Sequence, residues 1–266
     1  MTHVIITGGS SGIGLALARI YAHRGANISL LARTATALET ARNELTALAG
    51  NHSVRIESVD VADEILTAAA IGRCEDHFGP CDILITSAGI VEPGLFEALA
   101  PEAFRRQIDT NLLGSVHATR AVYSGMKQRR SGSIMLVSSG AGLIGIYGYA
   151  AYSASKFALH GFAEALRSEA RPHGVRISVC FPPDTETPQF TRELETRPLE
   201  AAVVMGSVAP WASGDVVERI VKAIDKGGFE VFFGPSLFAL GRFGSVIKPM
   251  LNWWFDRAIR KLTQRR

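Results

Sequence analysis

The sequence predicts an α/β fold: a doubly wound parallel sheet of about seven strands with helices on both faces. Three observations carry that expectation. Short aliphatic runs alternate with longer amphipathic ones along nearly the whole chain of 266 residues. The strand candidates are apolar almost throughout, as expected when both faces of a sheet are covered. No linker, repeat or low-complexity tract interrupts the alternation, so residues 1–235 read as one domain and 236–266 as a basic tail.

Taken in order, the strands are HVIIT (3–7), NISLLAR (27–33), VRIESV (54–59), CDILIT (81–86), GSIMLVSS (132–139), VRISVCF (175–181) and FEVFF (229–233). Helical spacing of apolar residues places helices near 12–24, 35–49, 63–78, 101–129, 152–172 and 214–226, joined by right-handed crossovers. Residues 183–213 carry four prolines and no clear strand, and read as a long irregular lid. In AAYSASKFALHGFAEAL (150–166), Ala154, Phe157, Ala158, Gly161, Phe162, Ala165 and Leu166 recur at helical spacing, a face for a core or a partner.

Composition narrows the function. An apolar share of 47% against 20% charge suits a large buried core, and a net charge of +3 is too small to imply nucleic-acid binding. Cys74, Cys81 and Cys180 are an odd number without CxxC spacing, which argues for a reducing cytoplasm and against disulfides. The seven histidines form no HxxxH or HExxH pair, so no metal is expected; His117, His160 and His173 fall in helical patterns as core, interface or helix-end residues. The N-terminus enters a strand at once, without a signal-peptide pattern, and no run of 18 uncharged apolar residues occurs.

TGGSSGIG (7–14) links the first strand to the first helix. In that context Gly8 permits the turn, Gly12 lets backbone approach a phosphate, and Gly14 lets helix pack on strand, with Ser10, Ser11 and Ile13 completing the loop. The helix N-terminus then offers free N–H groups to a pyrophosphate, the arrangement of a Rossmann-type dinucleotide site. The second strand ends Leu31-Ala32-Arg33-Thr34, with no acid for a ribose 2′-hydroxyl. Arg33 suits a 2′-phosphate instead, which favours NADP over NAD; an ordinary surface arginine is the alternative. Asp60-Val61 ends the third strand, where the carboxylate either accepts from the adenine amino group or caps a helix.

Tyr152 and Lys156 stand one helical turn apart, the spacing of a solvated helix edge but also of an activated phenol. With TGGSSGIG, the TSAG of 86–89, Asn111 and Ser139, the YSASK of 152–156 resembles the short-chain dehydrogenase/reductases over about residues 3–234. The resemblance implies that Tyr152 exchanges the proton of a carbonyl–alcohol reaction, helped by the Lys156 ammonium, which also binds the nicotinamide ribose. It implies that Ser139 polarises the carbonyl, that Asn111 holds a relay water, and that Ser87, Ala88, Gly89 and Pro182 border the NADPH. Two departures stand out: Ser87 replaces the family's asparagine before Ala-Gly, and Pro183 replaces the glycine after Pro182, which forbids positive φ there. Ser139 lies in Val-Ser-Ser-Gly-Ala rather than a G-x-S-x-G elbow, which excludes a serine hydrolase.

FPPDTETPQF (181–190) and RPLE (197–200) resemble the 3-ketodihydrosphingosine reductase branch of that family. That resemblance implies a lipid-like ketone substrate and places Thr185 or Thr187 on the nicotinamide carboxamide. Other ketones of the family (3-ketoacyl thioesters, steroids or small carbonyls) and a catalytically silent NADP-binding protein remain alternatives. Family habit implies a homodimer or homotetramer through the helices near 101–129 and 152–172. In the tail, Arg242, Lys248, Arg257, Arg260, Lys261, Arg265 and Arg266 face one acid, Asp256. Leu251, Trp254, Phe255, Ala258, Ile259 and Leu262 fall on one helical face with Arg257, Arg260 and Lys261 opposite and Trp253 among them. Peripheral membrane contact is the expectation, packing on a second subunit the alternative.

Overall fold

The computed structural model describes residues 1–49, 54–206 and 209–264. Seven parallel strands, β1 (His3–Thr7), β2 (Asn27–Ala32), β3 (Val54–Ser58), β4 (Ile83–Thr86), β5 (Gly132–Val137), β6 (Val175–Phe181) and β7 (Glu230–Phe232), form one sheet. Their order is β3-β2-β1-β4-β5-β6-β7, so the chain reverses direction across the sheet between β1 and β4. A crevice opens there at the carboxyl ends of the strands, where ligands of such sheets bind.

Pleating divides the core. From β1, Val4 and Ile6 pack with Leu30 and Met135 beneath α1 (Gly12–His23), α2 (Ala35–Ala49) and α9 (Ser213–Lys226). Ile5 faces the other way, with Leu31, Leu84 and Leu136, beneath α3 (Glu64–Phe78), α5 (Gly114–Arg129) and α6 (Ala150–Ala170). Every strand falls inside the range expected from its apolar run.

Four places depart from the sequence expectation. The single helix expected over 101–129 is α4 (Pro101–Ile108), a π-helical segment Asp109–Leu113, and α5. At its end Gly114 lies so close to Val61 that a Cβ would sit 2.5 Å from a Val61 methyl.

The lid is not irregular. It contains α7 (Pro188–Thr196) and α8 (Leu199–Met205). Pro188 occupies the first position of α7 and Pro198 the cap of α8, where a proline starts a helix rather than breaking one. Pro183 carries the chain onto Trp211 instead: Thr185 and Trp211 form a parallel bridge, and the Trp211 N–H donates to the Asp184 carbonyl at 2.8 Å.

On α6 the apolar stripe is not the buried one. Ala154, Phe157, Gly161 and Ala165 are exposed, Ala158 and Phe162 half-buried, and only Leu166 is buried. The covered face holds Ser155 and Lys156, which hydrogen bonds make tolerable there: Ser155 donates to the Tyr152 carbonyl, Lys156 to that of Val137.

The tail belongs to α10 (Gly234–Thr263), which begins ahead of residue 236 and buries Leu240 and Gly244 against the body. It kinks at Phe243, whose φ/ψ are not helical. Beyond the kink Lys248, Leu251, Phe255, Ala258, Ile259 and Leu262 are half-covered, while Trp253, Trp254, Arg257, Arg260 and Lys261 are exposed. Arg265 and Arg266 lie outside the described residues.

Candidate active site

A cavity of about 360 Å³ occupies the crevice at the carboxyl ends of the strands. One end is the turn after β1. Gly8 has φ +68° and a Cβ there would lie 2.7 Å from the backbone of Ala88. Gly12, at φ +54°, would put a Cβ 3.2 Å from the Thr187 methyl. Gly14 contributes no cavity surface; its Cβ would meet the Gly8 carbonyl at 2.3 Å, so it serves the closeness of loop and helix. Ser11, at the cap of α1, makes no side-chain cap bond, leaving first-turn N–H groups for a ligand. Ser10, Ser11, Gly12 and Ile13 line this end. Two left-handed glycines, a bare helix N-terminus and no side-chain bulk fit a dinucleotide pyrophosphate.

The rim adds Arg33, Asp60 and Val61. Arg33 is exposed, and its guanidinium has no ion-pair partner among the described residues. Asp63, not Asp60, caps α3, through the Leu66 N–H at 2.9 Å; Asp60 accepts from Ala62 in a tight turn. Ser87, Ala88 and Gly89 form the wall after β4, fastened by the Ser87 N–H to the Thr7 carbonyl and the Ala88 N–H to the Thr7 hydroxyl. The far wall is Pro182, Thr185 and Thr187. Thr185 donates to the Pro183 carbonyl, and Thr187 caps α7 by accepting from the Phe190 N–H.

Ser139, Tyr152 and Lys156 meet in this cavity. Ser139 follows β5, caps a short 3₁₀ turn through the Ala141 N–H, and hydrogen-bonds Tyr152. Lys156 Nζ lies 5.7 Å from the centre of the Tyr152 ring and donates to the Val137 carbonyl at 3.0 Å. Burial lowers the Lys156 ammonium from its ordinary value to about 8. Burial also pushes the Tyr152 phenol well above its ordinary value; the Ser139 bond opposes the rise, and the charges of Glu193 and Asp184 add to it. The family resemblance implies a phenol helped by the Lys156 ammonium. Here it is held protonated, because desolvation dominates and Lys156 directs its bond to Val137.

Asn111 does not line the cavity. Fully buried in the π-helical segment, it clamps Ile90 by accepting from its N–H at 2.8 Å and donating to its carbonyl at 2.9 Å, and also donates to Ser155. Gly89 separates it from Lys156: a Cβ there would lie 3.3 Å from Asn111 Oδ1 and 3.5 Å from Lys156 Nζ. The three cysteines are buried and free, and burial raises each thiol, Cys180 to about 12, which makes them inert.

One cluster was not assembled from the sequence. Arg197, between α7 and α8, donates to Asp184 at 2.8 Å and to Glu193 at 2.7 Å, and the Tyr149 hydroxyl donates to Glu193 at 2.6 Å. Asp184 and Glu193 line the cavity with Tyr152. Charge spacing could have suggested Glu193–Arg197, four residues apart, but the partnership with Tyr149 crosses 44 residues.

A doubly wound sheet with a glycine-rich turn at its switch point is the architecture of dinucleotide-binding oxidoreductases. Residues 2–198 match the short chain dehydrogenase family, and the chain belongs to it. Among curated relatives, it is 41% identical to the 3-dehydrosphinganine reductase of Danio rerio and 39% identical to the 3-ketodihydrosphingosine reductase of Bos taurus. Each match covers 94% of this chain and 76% of the relative. Among solved structures, an actinorhodin polyketide ketoreductase variant with NADPH superposes with a TM-score of 0.80 at 26% identity, covering 91% of this chain and 97% of that one. Levodione reductase gives the same TM-score at 23% identity over 87% of this chain and 95% of that one, a likeness of fold.

Proposed function

We propose that this protein is an NADPH-dependent reductase of the 3-keto group of 3-ketodihydrosphingosine, a long-chain amino ketone, yielding the alcohol. The observation that carries this reading is the 41% identity over 94% of the chain to a 3-dehydrosphinganine reductase, in a chain whose Ser139, Tyr152 and Lys156 share one cavity.

The pyrophosphate rests on the loop of Gly8, Ser10, Ser11, Gly12 and Ile13, with Gly14 keeping the helix close. Arg33 pairs with the 2′-phosphate, Asp60 and Val61 border the adenine, and Ser87, Ala88, Gly89 and Pro182 border the nicotinamide side. Thr185 or Thr187 hydrogen-bonds the carboxamide. Bound NADPH supplies the hydride. Ser139 donates to the substrate carbonyl, and Tyr152, held protonated, gives its proton to the developing alkoxide. Lys156 holds the nicotinamide ribose and stabilises the phenolate left behind. Asn111, which does not line the cavity, supports Lys156 from behind Gly89.

No helix among the described residues is long and apolar enough to cross a membrane. The exposed Trp253 and Trp254, with Arg257, Arg260 and Lys261, suit a lipid headgroup layer, so α10 brings the cavity to a membrane-dissolved ketone. The open stripe of Ala154, Phe157, Gly161 and Ala165 suits a second copy of the chain, in a homodimer or homotetramer. The test of function is NADPH oxidation by purified protein with the long-chain amino ketone as substrate.

A further inference from the structure

Glu193 poses a problem that the proposed reaction does not solve. Its side chain is only 12% exposed, yet it faces the cavity floor beside Tyr152. Both of its bonds, from the Tyr149 hydroxyl and from Arg197, end on Oε1, and Oε2 has no partner among the described residues. Asp184 repeats the pattern: Arg197 reaches Oδ2, and Oδ1 has no partner among the described residues. Neither oxygen is sealed from solvent, so each is open to the cavity and to a partner of opposite charge there. Arg197 cannot be that partner twice over: one guanidinium between two carboxylates leaves the cluster one negative charge in excess.

The cluster is also held in place for a ligand. Arg197 is 9% exposed and fixes α7 to the chain after β6, while Tyr149 fixes Glu193 to the cap of α6, three residues before Tyr152. The rings of Tyr149 and Tyr152 are 6.3 Å apart. Ser139, Tyr152 and these two carboxylates line one cavity.

We propose that Glu193, backed by Asp184, binds an ammonium on the carbon next to the reacting carbonyl, and so selects 2-amino ketones over plain ketones. This rests on the reading of the substrate as a long-chain amino ketone, and it names the groups that recognise its charged end. A carboxylate already oriented by Tyr149 and Arg197 gains a third, charge-assisted partner without moving. A ketone lacking the amine displaces water from Oε2 without giving it a donor, which is how a polar site rejects an analogue.

The experiment compares kcat/KM for a long-chain 1-hydroxy-2-amino-3-ketone with that for the same ketone lacking the amine, in wild type, Glu193→Gln and Asp184→Asn. Wild type should prefer the amino ketone by about 10- to 100-fold, the range of a hydrogen bond to a charged group. Glu193→Gln should bring that ratio towards one, and Asp184→Asn should lower it in part. A purely structural Glu193 would lose activity on both ketones alike and keep the ratio, which overturns the proposal while leaving the reductase reading intact. Equal wild-type rates on the two ketones overturn it without any variant. A wild type inactive on both overturns the substrate reading and this proposal together.

Discussion

Lys156 Nζ stands 5.7 Å from the centre of the Tyr152 ring and is tied to the Val137 carbonyl, deep under the cavity floor. Burial keeps the phenol protonated, the form in which a general acid must start. That is the requirement of ketone reduction.

Tyr152→Phe removes the acid and leaves the glycine loop and Arg33 in place. Turnover should fall by ~10²–10⁴-fold while the NADPH dissociation constant stays within a few-fold. Steady-state rates and a fluorescence titration of NADPH check both halves. Turnover near wild type would refute the assignment of the acid.

Lys156 is lowered to about 8 in the free protein, so above that pH the free amine is mostly neutral. A cation favoured by the bound dinucleotide must then take up a proton on binding, so affinity should weaken as pH rises from about 7 to 9.5. Titrations of NADPH across this range should show the loss in wild type and a flatter profile in Lys156→Met. Equal slopes would place the titration elsewhere.

Arg33→Glu should weaken NADPH by far more than NADH, because only the former carries the 2′-phosphate. The kcat/KM ratio of the two cofactors measures it directly. A wild type that prefers NADH would overturn the role of Arg33.

Arg197→Met leaves the half-buried carboxylates Asp184 and Glu193 without their shared cation. Breaking such a cluster on one side costs roughly 3–5 kcal/mol, enough to lower Tm and loosen the lid. Thermal melts with and without NADPH check this. An unchanged Tm would mean that water reaches the cluster freely.

Much of this was legible in the chain. Strand ranges followed from uniformly apolar runs, because a sheet covered on both faces leaves no polar alternation to misread. The glycine loop was legible because its motif is local, and all but Gly14 of its chosen residues reach the cavity, whereas Ser139, Tyr152 and Lys156 were picked out through the family resemblance. The π-helical segment was not legible: its five residues follow a helical pattern, and only the contact of Gly114 with Val61 marks the site. The buried face of α6 was hidden because Ser155 and Lys156 count as polar until their bonds are known. The Asp184–Arg197–Glu193–Tyr149 cluster was hidden because its partners come from three separate segments.

The tail gives a prediction about surroundings. Full-length protein should co-sediment with anionic vesicles at low salt and be released at high salt, since each basic residue near such a surface adds ~1 kcal/mol. A form ending at Met250 keeps Leu240 and Gly244 in the body and should stay in the supernatant. Full-length protein left in the supernatant at low salt would assign the exposed face of α10 to a second subunit.

The most direct test of the reductase reading is NADPH oxidation, followed at its nicotinamide absorbance, by purified protein given 3-ketodihydrosphingosine or an acetoacetyl thioester at matched concentration. Faster oxidation with the sphingoid ketone, with dihydrosphingosine as product, is the predicted result. Oxidation driven by the thioester and not by the sphingoid ketone would contradict it.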